Sequence, residues 1–132
     1  ILSMAAFDAA FDIFADIDMT QLWQKSCGLF QRFVQQLDQA GLAEELNLLT
    51  PLADDQRGSQ LSFQHEKAYE ICRALADAGV IADYREPNVL RFGLAPLYLS
   101  YTQIDCCVHI LTKILQEQLW RDPRYAVRAK VT

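Results

Sequence analysis

The chain has 132 residues, of which 52% are hydrophobic and 22% charged, and a formal net charge of -5. That is enough polypeptide for one domain with a core, and too apolar for a disordered segment. The negative balance argues against a general binder of nucleic acid or of anionic membranes, and no apolar run is long enough to span a bilayer.

Ile1-Leu2-Ser3-Met4 is neither an initiator methionine nor the start of a secretory signal, so Ile1 is expected to lie inside a longer chain. Residues 4–16 read as a helix with Asp8, Asp12 and Asp16 on one face and Phe7, Phe11 and Phe14 on a buried one. Without a histidine or a fourth ligand beside them, the aspartates read as a solvated stripe, and no metal is expected. A second helix starts after Asp18, with Gln21 at capping-box spacing. Its inward stripe is Leu22, Ser26, Phe30, Phe33 and Leu37, widened by Leu29 and Val34, and Gly41 stops it.

Residues 46–49 form a candidate short strand, and Thr50 to Gly58 is polar and turn-like. Ser59 to Phe63 alternates as a half-buried strand does, with Leu61 and Phe63 on one side. Glu66 to Ala78 is helical, with Ala68, Cys72, Leu75 and Ala76 inward and Gly79 as its stop. Val80–Arg85 and Val89–Phe92 follow as strands joined by a tight turn at Pro87-Asn88. Ser100 and Gln103 open a long last helix whose stripe is Ile104, Val108, Leu111, Leu115 and Leu119. Asp122-Pro123 ends it, and the tail from Arg124 to Thr132 carries too little pattern for an assignment. The predicted class is α+β: a small, mostly antiparallel sheet with helices on one face.

Chemistry-bearing residues are sparse. Cys27, Cys72, Cys106 and Cys107 match no zinc or redox spacing and read as reduced apolar fillers, which suits a cytoplasmic protein. His65 and His109 are the only imidazoles, and each reads better as structural than as catalytic. Lys25, Lys67 and Lys113 fall on or at the start of helices, and none of the four lysines, Lys130 included, sits in the small-residue loop that a cofactor-bearing lysine uses. Arg91 is different. Leu90 and Phe92 face the helices, so Arg91 projects from the other face of its strand. On the residues alone an ion pair with Glu86 or Asp83 is the simpler role, and grip on a ligand carboxylate is the alternative.

Two segments shift that balance. Arg57-Gly58-Ser59-Gln60-Leu61-Ser62-Phe63 resembles the R-G-S-Q-L-S-F strand of bacterial kynureninases. Gly79-Val80-Ile81-Ala82-Asp83-Tyr84-Arg85-Glu86-Pro87, then Arg91-Phe92-Gly93 and Pro96-Leu97-Tyr98, resemble the family's following segment, and Ile1 to Met4 resembles the stretch after its P-P turn. The resemblance implies the C-terminal part of a homodimeric pyridoxal-phosphate (PLP) enzyme of the aspartate-aminotransferase fold. Such enzymes hydrolyse the Cβ–Cγ bond of L-kynurenine to anthranilate and L-alanine. It implies that Arg91 binds the substrate α-carboxylate, and that the PLP lysine and phosphate-binding loops belong to a large domain. On that footing residues 1–45 are helices linking to the large domain, 46–120 the small domain and 121–132 a tail. No bound cofactor and no catalytic residue are then expected in this stretch alone. A cysteine desulfurase-like lyase of the same fold, or a non-enzymatic binding module, are the competing readings.

Overall fold

The computed structural model describes residues 2–127. Helix α1 (Leu2–Asp12) and helix α2 (Met19–Gln39) come first. Strands β1 (Asn47–Leu48) and β2 (Gln60–Gln64) follow, then helix α3 (Ala68–Asp77), strands β3 (Asp83–Arg85) and β4 (Val89–Gly93), helix α4 (Tyr101–Gln116) and the one-turn helix α5 (Pro123–Ala126). The four strands form one antiparallel sheet in the order β1-β2-β4-β3. The α+β class with helices on one face is as the sequence predicts.

Most local signals act where they were read, although Gln21 does not complete a capping box at α2. The Asp18 carboxylate accepts the backbone N–H of Thr20 and of Gln21 and so closes the open first turn of α2. Ser100 and Gln103 exchange both bonds of a capping box at α4. Gly41 and Gly79, at φ 72 and 84°, take the left-handed turn that releases α2 and α3.

One core joins the layers. Leu61, Phe63, Leu90 and Phe92 of the sheet meet Leu29, Phe30, Phe33 and Leu37 of α2, Ile71 and Leu75 of α3, and Ile104, Val108 and Leu111 of α4. Phe33 is the joint: its ring lies 5.0 Å from that of Phe92 and 6.0 Å from that of Phe63, centroid to centroid.

Several expectations are corrected. Helix α1 ends at Asp12, and residues 13–16 continue as turns, so Asp16 leaves the shared face. Phe7 and Phe11 are 59% and 57% exposed, because no other described element covers α1; they pack edge to face on each other. In α3 it is Ile71 and Ala74 that turn inward and Ala76 that faces out. Leu119 is exposed because α4 stops at Gln116 and the chain turns through Gln118 in a left-handed conformation, before Asp122 is reached. Asp122-Pro123 starts a helix as well, since the Asp122 carboxylate accepts the Arg124 N–H and Pro123 fills the first turn; α5 then buries Tyr125. The strand expected from Val80 begins only at Asp83.

Core and appendage separate cleanly in stability. Phe33→Ala should cost about 3–5 kcal/mol, because an aromatic bridge between helix and sheet becomes a cavity. Removing residues 1–16 should leave the thermal midpoint of the isolated domain unchanged, and should reduce self-association through the exposed phenylalanines. Calorimetry and light scattering on the two variants check both halves.

Candidate functional site

The sheet has a helix-covered face and an open face, and β4 alternates between them. Leu90 and Phe92 are buried under the helices, while Val89 and Arg91 are only partly covered on the other side. Cross-strand register sets the neighbours of Arg91: Asp83 on β3 and Ser62 on β2 lie opposite it. The register thus selects Asp83, rather than Glu86 in the turn, as the partner across the strand.

Arg91 meets Asp83 along one edge of its guanidinium. Nε donates to Asp83 Oδ2 at 2.8 Å, and Nη2 donates to the same oxygen. Arg85 Nε also reaches that oxygen, at 3.1 Å, so one carboxylate sits between two cations. The hydrogen bond from Arg91 is the main reason that the Asp83 carboxyl is held below the usual carboxylate range; the nearby charge of Arg85 adds to it. The Arg91 side chain is 26% exposed and Asp83 51%, so the pair opens to the surface.

The rest of the face is neutral and rich in hydrogen-bonding groups. Ser62 Oγ accepts from Gln60 Nε2 at 3.0 Å, and the Ser62 N–H donates to Thr50 Oγ1 at 2.9 Å. Asn47 donates to Gln64 at 3.1 Å, and Gln64 to Asn88 at 3.4 Å. The strands carry no lysine. Lys25 and Lys113 belong to α2 and α4, which cover the other face, and Lys67 precedes α3 and pairs with Glu70. Lys130 lies outside the described residues. The described residues therefore do not supply an anchoring amine beside Arg91.

The other candidates fall elsewhere. His65 leads into α3: its Nδ1 accepts the Lys67 N–H at 2.9 Å, its ring meets Trp120 edge to face, and its Nε2 lies 3.9 Å from Glu45. Burial pushes its pKa below the ordinary histidine value, against the pull of Glu45, Glu66 and Glu70. His109 is exposed on α4. All four cysteines are free; Cys27 is buried as a filler should be, but Cys106 is exposed, because α4 turns it away from the core. Cys107 is pushed up to about 12 by burial, which leaves it an unreactive thiol. No group of three or more His, Cys, Asp or Glu side chains is assembled for a metal among the described residues. None of the described helices is long and apolar enough to cross a membrane.

Arg57 plays a part that its sequence did not announce. Its side chain is 1% exposed, pairs with Asp54, and stacks with its guanidinium carbon 3.7 Å from the centre of the Phe30 ring. Nearby, Ser26 and Ser59 hydroxyls bond at 2.9 Å. Residues 54–59 are thereby fastened to α2, and β2 enters the sheet from a fixed point. No periodicity marks such a residue; only a cation in a short polar loop hints at it.

Comparison with known proteins identifies the family. The sequence model described as "Kynureninase C-terminal domain" matches residues 22–111. A protein named kynureninase from Pseudomonas fluorescens is 42% identical over all 132 residues, and these residues make up 32% of that protein. Kynureninases of Burkholderia mallei (strain SAVP1) and Burkholderia pseudomallei (strain K96243) are 43% identical over the same span and to the same extent. The chain thus spans about a third of the length of these relatives.

The half-buried His65 imidazole should make the domain's stability depend on pH. A folded-state pKa below that of the unfolded chain means that unfolding takes up a proton, so stability should fall as pH drops below about 6.5 toward the folded-state value. His65→Gln should flatten that decline, as urea titrations at pH 7.5 and pH 5.5 would show. An unaltered slope in the variant would assign the decline to other groups.

Proposed function

From the membership of this chain in the kynureninase family, whose C-terminal domain it carries, we propose that it forms the substrate-carboxylate side of a PLP-dependent hydrolase that cleaves the Cβ–Cγ bond of L-kynurenine to anthranilate and L-alanine. The observation that carries the reading is Arg91: a guanidinium fork on the open face of a rigid sheet, opposite the helical layer. A carboxylate is a planar acceptor with two oxygens, and only an arginine meets it with two parallel N–H groups. An amino-acid substrate held there is fixed at its α-carbon end. Its reacting bond is then oriented by position rather than by chance encounter.

The division of labour follows from what the chain contains. The lysine that would carry the cofactor and the pockets for its phosphate are assigned, from the family resemblance, to the remaining part of the parent enzyme. PLP, bound there, would supply the electron sink. This domain contributes recognition and positioning. Residues 1–45 are assigned as the helical link to the large domain, residues 46–120 as the small domain and 121–132 as its tail. The exposed aromatic stripe of α1 suits such a junction. The parent is proposed to work as a cytoplasmic homodimer. The domain on its own is expected to bind PLP poorly and to turn over no kynurenine.

The test is Arg91→Lys in the full-length enzyme. A lysine keeps the charge and loses the fork, so kcat/KM should fall roughly ten- to hundred-fold, the equivalent of one charge-assisted hydrogen bond. The cofactor's visible absorbance should stay as in the wild type. Unchanged kcat/KM would remove Arg91 from the substrate site.

A further inference from the structure

Asp83 occupies one edge of the Arg91 guanidinium and not the other. The bonds from Nε and Nη2 to a single oxygen define the side edge of the fork. The end edge, formed by Nη1 and Nη2, is turned away from Asp83 and offers the second pair of parallel N–H groups that a carboxylate fits. The partner is itself fixed. Asp83 stands on β3 in register with Arg91, and Arg85 Nε bonds the same oxygen at 3.1 Å.

We infer that Asp83 is a positioning residue for substrate recognition: it locks Arg91 in the rotamer that presents its end edge to the α-carboxylate of an amino-acid substrate. The inference rests on the carboxylate role proposed for Arg91. It also makes a choice between opposite effects. A negative charge beside Arg91 weakens the pull on an incoming anion, but Asp83 is half exposed and water damps that effect. An arginine without a partner explores many rotamers, and ordering it falls on the binding step. The ordering effect is the larger here, because the fork needs one orientation while the charge effect needs only proximity. Stability gives no competing reason for the pair, since exposed ion pairs contribute little.

The experiment uses the parent holoenzyme with L-kynurenine and with its α-carboxamide, which cannot use the fork. Asp83→Ala should raise KM for the acid about tenfold while kcat stays within about threefold, and should move KM for the amide by less than about twofold. Asp83→Asn keeps an acceptor for Nε and Nη2 and should recover most of the loss; it serves as the test on its own, with an acid-selective rise of about threefold, if the alanine variant fails to fold. Unchanged KM, equal losses for acid and amide, or a lower KM for the acid would overturn the inference; the last would make Asp83 a stand-in that the substrate displaces. Arg91→Gln run in parallel separates the two readings. If Arg91→Gln leaves KM unchanged, the carboxylate role of Arg91 falls. If it raises KM while Asp83→Ala does not, only the role of Asp83 falls.

Discussion

The pairing register of β4 against β2 is the constraint on which the rest depends. Side chains alternate along a strand, so the register that buries Leu90 and Phe92 also turns Arg91 outward. A slip of one residue would exchange the two faces. Arg91 would then face Phe33 and Phe63, where an unpaired guanidinium loses its hydration with nothing to replace it. The apolar core therefore fixes the position of the cation as firmly as it fixes its own packing. Arg57 supports the same end from the other side, by fastening the loop that feeds β2 to Phe30 of α2.

Charge is used in two ways in this domain. Arg57 is buried and stacked, so its work is to hold chain to chain. Arg91 is paired along one edge on an open surface, an arrangement that adds little to stability. A residue whose pair is energetically minor, but whose orientation is set by two strands and a second arginine, fits recognition better than structure. The family match covers β2 to β4 within residues 22–111 and favours a kynureninase over a desulfurase-like lyase or an isolated binding module.

Much of the fold was legible because its signals were local or periodic. The caps at Asp18 and Ser100, the glycine stops and the alternation of β2 and β4 each depend on a few neighbouring residues. The main failures of burial have one physical source: sequence shows that a face is apolar, but not whether anything covers it. Phe7 and Phe11 read as core and are exposed, while Tyr125 lay in a tail without pattern and is buried. At α3 packing replaces the stripe read through Cys72 and Ala76 with one through Ile71 and Ala74, while Ala68 and Leu75 stay inward. At the site, sequence identified Arg91 and left two partners open. Asp83 emerged only when the strands were paired, because a cross-strand neighbour is a property of register and not of spacing.

The two uncovered surfaces differ in a way that bears on the parent enzyme. One face of helix α1 exposes Phe7 and Phe11, a surface that gains by excluding water and suits permanent burial. The open sheet face shows an arginine, an aspartate, hydroxyls and amides, most of them already bonded to one another. Permanent burial of that face against an apolar wall would strand the outer edge of the Arg91 fork without a partner. A face of this kind does better against a cleft that admits water and, in turn, a small anion. The same chain thus carries one surface suited to dry packing and one suited to a wet, exchangeable ligand. That division matches the role proposed for the domain, which joins it to a larger enzyme on one side and exposes it to a small anion on the other.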